Sequence, residues 1–303
     1  MAKDKKKRKS QAPIALVYFS TMVIFLVILG SIALIFMKNL VLEPKKSSSV
    51  SISDNTPTDK NNQTFFYMVK DDKNNLKTAM LARFLPADGK LMLVPLSPYT
   101  MITHGGSNQT MAQIFKSGGA PDTTSALGET LGISIDRYMS MGEECFENVC
   151  DNIGSITYEV LEDMYYIDKH SDDVTNYTKG DKISLQGSQM RLFITYPKYK
   201  NGYSQNVTVA GEFMRSLINN GFKLQTTRDN LESIYSNLLR ESSEKNFSAG
   251  DFEETKEYYY YVIDNFDNPA YMLTPTGTWS DKGYQFTIDD AFKTQLKSAF
   301  KIA

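Results

Sequence analysis

Two adjacent carboxylates, Asp71 and Asp72, sit among Lys70, Lys73 and Lys77. That grouping could hold a divalent metal beside a phosphate, which would be phosphoryl-transfer chemistry. Lysine meets phosphate as a point charge, whereas a bidentate grip needs a planar guanidinium. Arg83, in a strand-like run, and Arg191, in a helix-like one, could supply it. Asp71, Lys77, Arg83 and Arg191 are therefore the candidate catalytic residues, and Asp71 with Asp72 the candidate metal ligands; a solvated turn is the competing reading of the two aspartates, and a solvated loop that of Lys70, Lys73 and Lys77. His104, before Gly105-Gly106, and His170 are the only histidines, and neither has a nearby nucleophile or second ligand in sequence. Two acidic groups, Glu143, Glu144 and Glu147, and Asp168, Asp172 and Asp173, lack calcium-loop spacing. A glycine-rich phosphate loop, zinc spacing and a nucleophile elbow are all missing. The tyrosine run 258–261 and Trp279 could stack on sugars, although packing of a helix with half-exposed rings explains the run as well.

The elements that would position these residues follow a long apolar segment. Residues 14–37, IALVYFSTMVIFLVILGSIALIFM, carry no charge. As a helix they would reach about 36 Å, enough to cross a hydrocarbon core of about 30 Å. Lys3, Lys5, Lys6, Lys7, Arg8 and Lys9 precede them, and this cationic block keeps the N-terminus in the cytoplasm. A cleaved signal peptide would have a shorter apolar core and a small-residue cleavage site, which residues 38–46 do not offer. The expectation is a single-pass protein of the cell membrane. It has a basic cytoplasmic tail (1–13), a span (14–37), a flexible polar stalk (38–63) and an extracytoplasmic remainder.

Charge narrows the partners of that remainder. Of 33 Lys and Arg and 35 Asp and Glu, the basic block takes six bases and Asp4, leaving 27 against 34, a net charge of −7. An acidic exterior has no footprint for nucleic acid. Cys145 and Cys150, the only cysteines, would lie about 140° apart on a helix, too far for a disulfide, and read as buried apolar residues.

Strands are predicted from residue 64, at 78–85 and at 90–96, the last two joined by PADG, whose Asp-Gly pair signals a hairpin. Helices are expected at 109–116 and 122–131, a strand at 135–141, a helix at 143–151 and a strand at 155–161. Residues 168–182 read as loop, and a helix over 188–196 should stop before Pro197. Ala210, Phe213, Met214, Leu217 and Ile218 share one helix face. Another helix has Leu231, Ile234, Tyr235 and Leu238 on one face with Asp229 as its cap, and a last one, 288–300, starts at Thr287 and Asp290. Strands mixed with helices make a layered α/β (α+β) domain with a mixed central sheet.

In element order and local motifs the chain resembles the LytR-CpsA-Psr family, bitopic proteins acting on the outer face of the membrane of mainly Gram-positive bacteria. The resemblance rests on Gly118, Gly119, Leu131, Gly132, Ile133, Ile135, Asp136, Tyr138, Phe146 and Gly154. Lys179-Gly180, Leu185 and Gly187 add to it, as does the hairpin 78–97. It spans residues 64–300 and implies a family domain at 64–220 with a C-terminal extension at 221–303. The family transfers a glycopolymer from polyprenyl pyrophosphate to peptidoglycan, using arginines and a metal held by carboxylates. In this chain the corresponding segments read Asn75-Leu76-Lys77-Thr78, Ser97-Pro98-Tyr99-Thr100, 193–197 (FITYP) and 205–211 (QNVTVAG), so the arginines and the metal-binding aspartate are replaced. A site without cations repels pyrophosphate. The leading expectation is a non-catalytic binding or regulatory protein, whose partners are a polyprenyl-linked glycopolymer, peptidoglycan or an active enzyme of the family. One alternative is a divergent phosphotransferase using Mg2+; the other is a structural module that recognises a protein.

Overall fold

Alternating burial along three consecutive segments builds the centre of the molecule, a computed structural model that describes residues 56–167, 174–196 and 198–302. The predicted tail, span and most of the stalk lie outside these residues, as do Asp168, His170, Asp172, Asp173 and Pro197. Strand β1 (Gln63–Lys70) runs antiparallel to β2 (Leu76–Leu85), and β2 antiparallel to β3 (Lys90–Leu96). Between β2 and β3, Gly89 takes φ 62° to close the turn that the Asp-Gly pair predicted. Strand β4 (Met101–His104) turns into β5 (Ser107–Thr110) through Gly105 and Gly106, both at positive φ. His104 thus ends β4, and its imidazole lies 3.8 Å from Asp122.

Helix α1 (Met111–Leu131) is interrupted at Gly119, φ 67°, which explains why the sequence reads as two helices. The carboxylate of Glu244 accepts from the Ala120 N–H at 2.6 Å and caps the second segment, and a Cβ on Gly119 would come within 2.7 Å of that carboxylate. Next come β6 (Arg137–Gly142), α2 (Glu143–Ile153), β7 (Ile156–Glu159) and β8 (Met164–Ile167). Strands β9 (Val174–Tyr177) and β10 (Lys182–Leu185) replace part of the predicted loop 168–182, pairing with β8 and β7. They are followed by α3 (Gly187–Thr195), α4 (Gly202–Gly221), α5 (Gln225–Glu241), β11 (Glu244–Lys245) and α6 (Ala249–Asn265). The chain closes with β12 (Ala270–Met272), β13 (Gly277–Trp279), β14 (Phe286–Ile288) and α7 (Asp290–Ala299).

Two helix starts differ from expectation. Helix α5 begins at Gln225, with Asp229 inside it, and α7 is capped by Asp289, whose carboxylate accepts from Phe292 N–H at 2.7 Å. Order also begins before residue 64: residues 59–61 form a 3-10 turn, held by Lys301 on Asp59 at 3.0 Å and by Asn61 donating to the Tyr258 hydroxyl at 2.9 Å.

The main sheet is mixed, in the order β11-β6-β1-β2-β3-β12, with β6 parallel to β1 and β12 parallel to β3. Because side chains alternate along a strand, neighbouring residues belong to different layers. Phe66, Met68, Ala79, Leu81, Val94 and Leu96 face α1 and α7, where Phe115, Phe292, Leu296 and Phe300 fill the space. Tyr67, Met80, Ala82, Leu93, Met139 and Met141 face the opposite layer, made from α2 to α6. Cys145 and Cys150 are free thiols buried in that second layer, as the helix reading expected. Burial pushes the Cys145 thiol up to about 11 and Cys150 higher still, so both stay protonated and inert.

Candidate functional site

The second layer is hollow. A cavity of about 300 Å³ lies between the sheet and its helices. Its floor is Phe65, Tyr67 and Val69 of β1, Met80, Ala82 and Phe84 of β2, and their neighbours Leu93, Met139 and Met141. These are every second residue along each strand, so the period of two gives one apolar surface. Its roof includes Phe146, Met214, Leu217, Ile234, Leu238 and Val262 from α2, α4, α5 and α6. Protein interiors seldom leave a void larger than a water molecule, and this volume is that of a small ligand site. From Gln63 to Val69 the lining extends for about 20 Å at 3.3 Å per residue. The Tyr67 hydroxyl is held far above its ordinary pKa, chiefly by burial, with Tyr259 and Tyr235 adding to the shift, and carries no charge into the cavity.

The candidate catalytic residues do not form one cluster. Asp71 sits in the β1–β2 turn, where it accepts from the backbone N–H of Lys73 at 3.0 Å and of Asn75 at 2.8 Å, and from the Asn75 amide at 3.0 Å. Burial would raise its pKa, but these bonds and the charge of Lys77 outweigh that and hold it below the usual carboxylate range. Asp71 is thus the organiser of its own turn, and Asp72 beside it is exposed. Both Asp71 oxygens are engaged within the turn, and no group of three metal-ligating side chains is gathered among the described residues.

Arg83 lies at the opposite end of the sheet from Lys77, about 20 Å away along β2. It donates to the Phe300 carbonyl at 3.1 Å and the Thr64 hydroxyl at 2.7 Å, and Asp136 stands 3.7 Å from it. Asp136 in turn accepts from Thr64 N–H at 2.7 Å. Two residues singled out separately, Arg83 for chemistry and Asp136 for the resemblance, therefore lock β1, β2 and α7 together.

Arg191 is on α3, on the cavity side. It pairs with Glu143 at 2.7 Å and also with Glu147. Two carboxylates against one guanidinium leave this cluster negative. Burial raises the Glu147 pKa above its ordinary value, against the pull of Arg191, and Glu143, Asp151 and Glu144 add to the rise. The acidic patch and the arginine were each visible in the sequence; their pairing was not, because it joins separate helices.

At the far end, Arg137, which sequence reasoning passed over, pairs with Asp251 at 2.6 Å where the cavity lining reaches Gln63 and Tyr259. The segments where the resemblance places arginine and aspartate, 75–78 and 97–100, meet at the Asp71 end of the sheet beside an open groove of about 830 Å³. Asn75, Pro98, Tyr99 and Gln113 line it, with Lys116 and Lys282 as its basic side chains. The Lys116 ammonium donates to the Lys73 carbonyl at 2.6 Å.

A mixed central sheet with helices on both faces and an apolar cavity in one layer define an α/β protein. Residues 30–294 match the LytR_cpsA_psr family, and the chain belongs to it. Among solved structures it is similar to a protein of Eubacterium siraeum described as a transcription regulator, with TM-score 0.71, 20% identity, 81% of this chain and 93% of that one covered. It is likewise similar to TagV of Bacillus subtilis (TM-score 0.66, 15% identity, 80% and 98% covered) and to TagT bound to LI-WTA (0.60, 11%, 79% and 89%). No curated protein matches in sequence. Among the described residues no helix is long and apolar enough to cross a membrane.

Proposed function

We propose that this protein serves cell-wall glycopolymer attachment by holding the polyprenyl tail of a lipid-linked glycopolymer without catalysing its transfer. The observation that carries the reading is the apolar cavity, in whose lining the one arginine among the described residues, Arg137, is already paired with Asp251. Apolar lining on both floor and roof suits a hydrocarbon chain, which gains about 25 cal/mol for each Å² of surface withdrawn from water. Transfer from a pyrophosphate needs several positive groups converging on the leaving phosphate. Here Arg191 is outnumbered by Glu143 and Glu147, Arg83 ties β2 to Phe300, and Arg137 faces Asp251.

Family membership and the similarity to TagT bound to LI-WTA support the class of ligand. The charge-free segment 14–37 behind a basic tail supports a single-pass anchor with the domain outside the cytoplasm. An anchor of this kind would keep the cavity beside its lipid and beside an active enzyme of the family.

The test is to mix the full chain, in detergent, with a polyprenyl-pyrophosphate-linked glycan, magnesium and peptidoglycan. Retention of the lipid without release of polyprenyl phosphate is the expected result. Release at a rate above that of the protein-free mixture would make the chain a transferase, and failure to retain the lipid would leave a structural module.

A further inference from the structure

At two strand edges a side chain stands in for a missing neighbour strand. On β12, at one end of the main sheet, the Asn219 carboxamide accepts from the Ala270 N–H at 2.8 Å and donates to the Ala270 carbonyl at 3.1 Å. On β8, the Tyr196 hydroxyl accepts from the Tyr165 N–H at 3.1 Å and donates to the Tyr165 carbonyl at 3.0 Å. Each closes an edge that would otherwise invite pairing with another chain. The strand beside β8 is different. Strands β8 and β9 form a sheet of two, so β9 has an outer edge of its own.

The Tyr196 bonds fix the phase of that ladder. Tyr165 turns its N–H and C=O away from β9, and it stands opposite Asn176. In an antiparallel pair, opposed residues alternate between bonding each other and turning their backbones outward. Asn176 therefore turns its backbone outward, and so does Val174, two residues before it. Among the described residues no strand pairs with that side of β9. Its sequence, Val174–Tyr177, holds neither the lysine nor the proline that commonly blunts an edge. One face of the hairpin is anchored: Tyr166 meets Tyr196 edge-on at 6.3 Å, and Tyr177 stacks on Phe193 at 5.8 Å. The other face is apolar and lies in water, with Tyr165 56% exposed, Ile167 47% and Val174 60%. None of these three lines the apolar cavity or the groove at the Asp71 end.

We propose that the outer edge of β9 is a docking site for a protein partner, which adds an extended, cationic segment to the hairpin as a third strand. The edge selects the backbone: an added strand offers N–H and C=O groups to Val174 and Asn176, whereas a helix keeps its own bonded internally. The exposed face selects half of the side chains. Every second residue of the added strand falls beside Val174, on the face that carries Ile167 and Tyr165, and is therefore apolar. Charge selects the rest. Residues 159–182, which include both strands, hold seven Asp and Glu against three Lys, so lysine or arginine in the segment is attracted. Other occupants fit less well. A second copy of this chain brings the same negative charge to the contact. A bilayer cannot satisfy the N–H and C=O groups of an open edge.

The inference goes beyond the tail-binding role and does not depend on it. The full chain, in nanodiscs of uncharged phosphatidylcholine, is titrated into two fluorescein-labelled nonapeptides, with empty nanodiscs as the blank. Both peptides alternate valine with polar residues; one carries lysine and threonine at the polar positions, the other glutamate and threonine. Fluorescence anisotropy should show saturable binding of the lysine peptide, at least about tenfold tighter than the glutamate peptide. Hydrogen exchange read by mass spectrometry should slow within Val174–Tyr177 when the lysine peptide is bound. Asn176→Pro removes an outward N–H and spares the bonds to β8, so it should abolish binding. Ile167→Ser keeps the edge and should weaken binding by about threefold or more. Melting temperatures equal to that of the parent chain identify these losses as losses of binding. Absence of saturable binding, equal affinity for the two peptides, or undiminished binding by Asn176→Pro overturns the proposal. Self-association of the chain that Asn176→Pro removes, with no peptide bound, assigns the edge to a second copy and overturns it as well.

Discussion

One sheet carries two layers that differ in how they are filled. On the α1 and α7 side, Phe66, Phe115, Phe292 and Phe300 are fully buried and pack together. On the other side, residues of the same strands, offset by one position, floor a space of about 300 Å³. Composition does not separate the two faces, since both are made of Phe, Met, Leu and Ala. What differs is the covering helices: α1 and α7 press large rings onto the sheet, whereas α4, α5 and α6 stand over it with Met214, Leu217 and Ile234 around a gap. Apolar patterning therefore specifies that a face is covered and leaves open how closely.

The sharpest way to break this comparison is on the filled side. Phe292→Ala is expected to cost about 3–5 kcal/mol of stability, because the surrounding rings cannot collapse into the space, as measured by chemical denaturation. Truncating the cavity-lining Leu217 to Ala should cost less than that, since its neighbours already border empty volume; equal losses would mean that the hollow layer is as tightly packed as the other.

A matched pair gives a second test of smaller size. Ala79 and Ala82, three residues apart on β2, are both buried and point to opposite layers. Ala79→Phe should destabilise by about 1–3 kcal/mol through overpacking. Ala82→Phe should change stability by less than about 1 kcal/mol, because the ring enters the cavity, and should displace any bound tail. A melting curve of each variant checks this.

The carboxylates around Arg191 give a third. Arg191→Leu leaves Glu143 and Glu147 facing each other, at a cost of about 1–2 kcal/mol for these partly exposed groups at neutral pH. The pH dependence follows from Glu147, whose folded pKa is raised above the ordinary value of 4.5, chiefly by burial. The folded state then binds more protons than the unfolded state just above that value, so stability falls as pH rises through the folded pKa. Losing Arg191 raises that pKa further, so the penalty should shrink as pH is lowered toward 4.5. A penalty that grew on acidification would contradict the pairing.

The smallest effect is expected at the turn. Asp71→Ala removes three hydrogen bonds from an exposed loop and should cost about 1 kcal/mol.

Much of the frame could be read from sequence, for identifiable reasons. The strand–PADG–strand hairpin carried its turn signal beside it, and α2 and α4 had continuous apolar faces. Strands β11 and β12 were missed: two and three residues hold no period, and they exist only because β6 and β3 offer edges to pair with. Strand β9 reads as loop because none of its described residues is buried. Of the site, the acidic residues, the two arginines and the tyrosine-rich and tryptophan positions could be seen one by one. Their partners could not: Arg83 meets Phe300, Arg191 meets Glu143, and Tyr99 meets Tyr203 across long stretches of chain. The cavity had no signature, because a lining residue and a core residue follow the same alternation.

The most direct test of a hollow layer that holds a polyprenyl tail is native mass spectrometry of the full chain and of Ala82→Phe with undecaprenyl phosphate. The chain should retain one lipid and Ala82→Phe none, with both melting at the same temperature. Equal retention by the two, or none by either, would contradict the account.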